Sequence, residues 1–162
     1  MDEILLMLEK DAKLTAEEIA KAVRQPVETV KKRIKDYEKR GIIVKYKAVI
    51  NRELLDENGD GGTRALIEVK VAPEKDKGFD HIAERIYRFP EVSSCYLLSG
   101  TYDLLLVVEG KNIQTVANFV ASKLSPLENV RGTVTHFLLK KYKENGDILK
   151  TFEETKRMTI SY

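Results

Sequence analysis

Residues Thr15–Ile50, TAEEIAKAVRQPVETVKKRIKDYEKRGIIVKYKAVI, decide how this chain is read. Thr15 and Glu18 stand in Thr-x-x-Glu order, in which the hydroxyl accepts a first-turn amide and the carboxylate reaches back. A helix is therefore expected to open at Ala16, with Ile19, Ala20 and Val23 on one apolar face. Arg24-Gln25-Pro26 interrupts it, because proline fits the first turn of a new helix better than the interior of an old one. A second helix is expected from Pro26 to Arg40. Its inward stripe is Val27, Val30, Ile34 and Tyr37, which leaves Glu28, Lys31, Lys32, Lys35 and Lys39 pointing outward. Gly41 ends it, and a basic strand carrying Lys45 and Lys47 is expected beyond. Two short helices around a tight turn, then a basic strand, is an arrangement that can lie on DNA.

Charge points the same way. From Arg24 to Lys47 there are nine Lys and Arg residues against three acids, while the whole chain balances 28 basic against 26 acidic residues. One concentrated basic segment in a near-neutral protein implies a local phosphate-facing surface. A lysine-rich helix by itself is as compatible with an ordinary solvated face; its place after a capped helix and a tight turn favours the DNA reading.

At 162 residues, 43% hydrophobic and 33% charged, the chain can hold one medium domain or two small ones. The polar, glycine-rich stretch NRELLDENGDGG, 51–62, is expected to link a first domain, 1–50, to a second, 63–143, with 144–162 as a C-terminal tail. No stretch approaches the length of apolar sequence that spans a bilayer, and Asp2 and Glu3 precede the short apolar run Ile4–Leu8, so a cytoplasmic protein without a membrane partner is expected. The single cysteine, Cys95, excludes an internal disulfide, and with only His81 and His136 beside it no metal site of ordinary ligand count is expected. The sequence implies no cofactor.

The second half contains an internal duplication. A strand Thr63–Val71, a helix Gly78–Phe89 and a strand Val92–Ser99 are followed by a strand Asp103–Val108, a helix Asn112–Leu124 and a strand Val130–Tyr142. The helix exits correspond, Phe89-Pro90-Glu91-Val92 beside Leu127-Glu128-Asn129-Val130. The first helix is expected to bury Phe79, Ile82, Ala83 and Ile86, and the second Ile113, Val116, Ala117, Val120 and Leu124. Two such units give a four-stranded antiparallel sheet with both helices on one face, the ferredoxin-like βαββαβ arrangement, and with the first domain an α+β chain. Leu104-Leu105-Leu106-Val107-Val108 is apolar at every position, so both faces of the sheet centre avoid water while the helices cover one. A second copy of the chain, sheet against sheet, is the economical cover, and Thr133 to Leu139 offers residues to both sides.

The chain resembles the Lrp/AsnC family, the leucine-responsive or feast/famine transcriptional regulators. The residues that carry the resemblance are IAKAV and VKKRIKDYEKRGII in the first domain, SGTYDLLLVVEG in the middle hairpin and NVRGTVTHFLLKKYK on the last strand, covering most of Met1–Lys143. The resemblance implies an N-terminal winged helix-turn-helix, a C-terminal ligand-sensing domain, dimers assembling into octamers or similar rings, and amino acids or related metabolites as effectors. By position it makes Pro26–Arg40 the recognition helix, with Glu28, Thr29, Lys32 and Lys35 near base edges and Lys31, Arg33, Lys39, Lys45 and Lys47 on phosphates. Relatives commonly carry Gly, an apolar residue and Ser or Thr at the turn; this chain has Arg24, Gln25 and Pro26, so Arg24 and Gln25 are candidate contacts of its own.

The resemblance also places an effector pocket at Ser99-Gly100-Thr101-Tyr102-Asp103 and the last strand. Free amides at Gly100 and Thr101 suit an α-carboxylate, Asp103 an α-ammonium, and the hydroxyls of Thr133 and Thr135 complete the ring. Each residue also has a purely structural reading: Gly100 for a positive φ, Asp103 as a turn cap, the threonines as strand formers. Two alternatives stay open. One is an architectural protein that wraps DNA and senses nothing; the other, less favoured, is a small enzyme using His136 or Asp103, for which no nucleophile-base-orienter set or phosphate loop is present.

Overall fold

The computed structural model describes residues 2–51, 54, 62–73 and 78–149 and divides into two units, Met1–Ile50 and Asn51–Tyr162. The expected 51–62 linker lies almost wholly outside the described residues, as does the tail from residue 150 onward.

Three helices form the first unit: α1 (Glu3–Lys10), α2 (Ala16–Val23) and α3 (Val27–Lys39). The opening helix, absent from the sequence reading, starts because Asp2 accepts the Ile4 amide at 2.9 Å as its N-cap. The capping box of α2 closes as expected, with the Thr15 hydroxyl accepting the Glu18 amide at 3.2 Å and the Glu18 carboxylate accepting the Thr15 amide at 2.8 Å. Pro26 stands one place outside α3 as its N-cap and, lacking a side-chain acceptor, makes no cap hydrogen bond. Gly41 ends the helix at φ +70°, a conformation glycine adopts without strain. Ile4, Leu8, Ile19, Ala20 and Val30 form the buried core of this unit.

The expected basic strand is not there. Residues 44–50 run without strand pairing, because no other segment of the described chain lies alongside to supply a ladder. Val44 is 89% exposed, and the Tyr46 hydroxyl donates to Glu38 Oε1 at 3.0 Å.

The second unit contains the duplicated sheet: β1 (Thr63–Val71), α4 (Asp80–Tyr87), β2 (Val92–Leu97), β3 (Leu104–Gly110), α5 (Ile113–Phe119) running into a π turn (Val120–Leu124), and β4 (Val130–Phe137). The strand order β2-β3-β1-β4, antiparallel throughout, is that of the ferredoxin-like fold. The repeat extends to single hydrogen bonds. Phe89 N bonds Ile86 O and Val92 N bonds Phe89 O, at 3.1 and 3.0 Å; Leu127 N bonds Leu124 O and Val130 N bonds Leu127 O, at 3.2 and 2.9 Å. Each following strand then carries one extra residue, Ser93 in β2 and Arg131 in β4, as a bulge.

Alternate residues of β1 and β3 (Ala65, Ile67, Val69, Val71; Leu104, Leu106, Val108) are buried against Ile82 and Ile86 of α4 and Val116, Phe119 and Leu124 of the second helix. Here the expected face is corrected. Ile113 and Ala117 are exposed and Phe119 is buried, since Phe119 follows the buried Val116 by three residues on one face; the π turn then brings Leu124, five residues on from Phe119, to the same side. β4 stops at Phe137 rather than Tyr142, since beyond Arg64, whose carbonyl takes the Leu138 amide, β1 offers no partner. The chain then forms a hairpin, β5 (Lys143–Glu144) and β6 (Asp147–Ile148), turned by Asn145 and Gly146 at φ 49° and 95°. This hairpin crosses the expected domain-tail boundary at 144, and Arg64 ties it to the sheet by donating to Glu144 at 2.8 Å.

Candidate functional site

In the first unit the structure sorts the basic cluster of α3 by what neutralises it. Lys31 reaches Glu17 of α2 at 2.9 Å, and this pairing, chiefly the hydrogen bond between the two, raises the lysine and lowers the carboxyl. Arg40 pairs with Asp36 at 3.0 Å. Arg33, expected on phosphates, turns instead toward the body of the unit, where it is bound by the Asp2 carboxylate, the Tyr37 hydroxyl and the Gln25 side chain. Lys32, Lys35 and Lys39 are exposed and have no carboxylate partner among the described residues. Their spacings of three and four residues place them on one stripe with Glu28, with Thr29 beside it. Lys45 and Lys47 are exposed on the extended segment that follows.

At the turn, Arg24 occupies the left-handed region, φ 53° and ψ 44°, where its amide and that of Gln25 both reach back to Ala20 O. Arg24 points to solvent; Gln25 is half-buried and faces Arg33. Sequence reasoning missed Asp2 and Glu17 as partners of α3. Asp2 shows a local signal as a helix cap, but its pairing with a residue 31 positions away has none.

In the second unit, Ser99, Gly100 and Thr101 are exposed, while Tyr102 and Asp103 are half-buried. The loop is closed by Leu98 N on Asp103 O at 2.8 Å and anchored by Asp103 N on Val69 O at 3.1 Å. Both carboxylate oxygens of Asp103 already have a partner within the chain. Its Oδ2 takes the Val71 amide at 2.9 Å, and its Oδ1 faces Lys70 Nζ at 3.3 Å. The same lysine donates to Thr101 O at 2.8 Å, so Lys70, on β1, holds the loop and is a residue that sequence reasoning did not name. Gly100 has no positive φ, and a side chain placed there would meet nothing within 4 Å. Among the described residues neither conformation nor packing calls for glycine at that position. Thr133 and Thr135 lie on β4 opposite Val69 and Ile67, on the helix side of the sheet. Thr133 is thus two strand spacings, about 10 Å, from the anchored end of the loop, and Thr135 is farther along.

The face of the sheet away from the helices presents Leu66, Leu105, Val107 and Val134 in adjacent rows. Glu68 and His136 lie in the same rows, His136 Nε2 to Glu68 Oε2 at 3.5 Å, while Asp103 is turned to Val71. No helix among the described residues is long and apolar enough to cross a membrane.

Residues 3–44 match the winged helix-turn-helix DNA-binding model, and residues 64–148 match the Lrp/AsnC ligand binding domain. The HTH-type transcriptional regulator YugG of Bacillus subtilis is 46% identical over 159 residues, covering 98% of this chain and 95% of that one. The HTH-type transcriptional regulator FL11 of Pyrococcus furiosus is 32% identical over 145 residues, covering 90% and 91%. A transcriptional regulator of Neisseria meningitidis, solved in complex with L-methionine, superposes with a TM-score of 0.68 at 27% identity, covering 88% of this chain and 89% of that one. With both of its units matched in order and most of its length shared with such regulators, the chain belongs to the Lrp/AsnC family of transcriptional regulators.

Proposed function

We propose that the chain acts as a homodimeric transcriptional regulator that docks α3 in the major groove of double-stranded DNA and answers to an amino acid. The observation that carries this reading is the stripe Lys32, Lys35 and Lys39, without a carboxylate partner among the described residues, where neighbouring cations are neutralised by Glu17, Asp2 and Asp36. Lysines held free on one helix face are positioned to release counter-ions from phosphate and to reach base edges. Glu28 and Thr29 flank the base-facing end; Lys39, Lys45 and Lys47 serve the backbone, and Lys31 joins them at the cost of its bond to Glu17.

Dimerisation is supported by Leu66, Leu105, Val107 and Val134, half-buried or exposed on a face that no helix among the described residues covers, which a second sheet would remove from water. A two-fold pair would present two recognition helices to two half-sites. Tyr96, Leu97 and Leu98, exposed at the end of β2, support further assembly of dimers into a ring. The effector reading rests on the loop 99–102. Its glycine is required by nothing among the described residues, which leaves room for a ligand to approach the backbone closely. The methionine complex of the Neisseria regulator makes methionine the first amino acid to try. Thr133 and Thr135 belong to this site only if a ligand extends along the helix side of β4.

The test is to sequence genomic fragments retained by the protein at moderate salt, with and without pooled amino acids. Enrichment of two-fold symmetric, A/T-rich sites whose recovery changes with amino acids is expected. Retention of fragments without enrichment supports instead an architectural protein. Melting the protein against each amino acid reads the effector separately, since a ligand at a hundred times its Kd stabilises by about 2.7 kcal/mol.

A further inference from the structure

The recognition helix of this chain begins without a side-chain cap. Pro26 offers no acceptor, and the residue two before it, Arg24, sits in a backbone region that an L side chain occupies at a cost. Val23 and Val27 pack on the core on either side of the turn, and the Arg24 and Gln25 amides bond Ala20 O, but a surface cleft of about 310 Å³ opens between the start of α1, Val23 and Gln25. What spans that cleft is polar. Asp2 divides its carboxylate, Oδ1 accepting the Ile4 amide at 2.9 Å and Oδ2 accepting from Arg33 Nη2. The same nitrogen donates to the Tyr37 hydroxyl at 3.1 Å, and Nη1 faces Gln25 Oε1 at 3.5 Å.

Resting on the DNA-binding reading above, we infer that Arg33 is a positioning residue rather than a phosphate contact: held by Asp2, it fixes the turn through Gln25 and so sets the angle at which α3 enters the groove. A guanidinium suits this task because its planar fork can hold a carboxylate, an amide oxygen and a hydroxyl in fixed directions, which an ammonium cannot. Base-edge hydrogen bonds depend on that angle, whereas phosphate contacts by long lysines adapt to small changes in it. The network therefore governs sequence preference more than total affinity.

The experiment compares wild type, Asp2→Asn and Arg33→Lys as full-length proteins. The probes are a 40-bp duplex recovered by the wild type from a random pool and an unselected duplex of equal length, each titrated over a range of salt. Asparagine caps a helix as well as aspartate does, so Asp2→Asn keeps α1 and removes the charge that holds Arg33. Arg33→Lys keeps the charge and removes the fork. Both variants are expected to lower the ratio of selected to unselected affinity by about tenfold, the scale of one displaced base contact, with the salt slope unchanged. Melting temperatures near that of the wild type confirm that the fold is retained; if Arg33→Lys does not fold, Asp2→Asn alone decides.

Two results overturn the inference while leaving the DNA-binding reading in place. One is an unchanged ratio in a folded variant. The other is an Asp2→Asn protein that binds both duplexes more tightly with a salt slope steeper by about one, which identifies Arg33 as a phosphate contact released from its tether. A wild type that recovers no duplex from the pool overturns the DNA-binding reading itself, and this inference with it.

Discussion

Asp103, on the loop before β3, accepts the backbone amide of Val71 at the end of β1, Oδ2 to N 2.9 Å. The register between β1 and β4 slips at that residue, because the extra Arg131 breaks the ladder. The carboxylate supplies the partner that a half-buried amide otherwise lacks. Asp103→Ala is therefore expected to destabilise the protein by about 1–2 kcal/mol, the cost of an amide left unpaired. Asp103→Asn, which retains an acceptor oxygen, is expected to cost less. Urea melts of the two variants check this. They also free the effector question from the structural one, since a folded Asp103→Asn protein reads the effect of the charge alone.

Arg24 takes φ 53° to let the chain leave α2 and begin α3 within three residues. For a side chain with a Cβ this conformation costs about 1–2 kcal/mol, and glycine escapes that while giving up roughly 0.5–1 kcal/mol of unfolded-state entropy. Arg24→Gly is expected to stabilise the protein by about 0.5–1 kcal/mol, seen as a higher denaturant midpoint. A loss of DNA affinity in the same variant would assign the Arg24 side chain a phosphate contact.

Several carboxyls are held below their ordinary values, and together they fix the sign of the acid response. Burial pushes Asp2 upward, but the Ile4 amide, Tyr37 and the Arg33 charge more than offset it, and the result lies below the ordinary 3.8. The hydrogen bond from Lys123 lowers Glu91, and that from Lys141, with Arg64 adding to it against burial, lowers Glu144; both lie below the ordinary 4.5. A carboxyl with a folded value below its unfolded one contributes fully above the unfolded value and loses that contribution as pH falls through the folded value. Stability is thus expected to change little on these groups' account from pH 8 to 5 and to decline below 4.5. Lys123→Met should flatten the Glu91 share of that decline, as measured by urea midpoints across the acid range.

The parts of this fold legible in the sequence are those whose causes lie within a few residues. Thr15 and Glu18 cap each other, Gly41 needs its positive φ to stop α3, and β1 is bounded at Thr63 and Val71 as its alternation indicates. The duplication is visible because each half repeats the same local exits, down to the matching bonds at Val92 and Val130. What eluded the reading depends on distant partners or on helix phase. Arg33 looks like any outward lysine-rich neighbour until α1 brings Asp2 to it, and Asp103 looks free until the β1 bulge offers Val71. A uniform helical period cannot foresee the π turn at Val120–Leu124. The Asn145-Gly146 turn is a local signal, yet the charged residues around it mask the hairpin.

Leu105 sits at the middle of the uncovered sheet face, opposite Glu68 on β1 and Tyr96 on β2. If two copies meet across this face about an axis near its centre, Leu105→Glu adds two carboxylates beside the two from Glu68 and buries them without counter-charge. Association is then expected to weaken by at least about a hundredfold, or about 2.7 kcal/mol, read as a shift from dimer to monomer in sedimentation at micromolar protein. The fold of each copy should survive, because Leu105 lies outside the core between sheet and helices. Ala117→Glu, on the exposed side of the helix layer, serves as the control and should leave the dimer intact. A Leu105→Glu protein that sediments as the wild type does would place the interface elsewhere. DNA binding gives a second readout: a monomer engages one half-site at a time, so operator affinity should fall more steeply than affinity for unselected duplex.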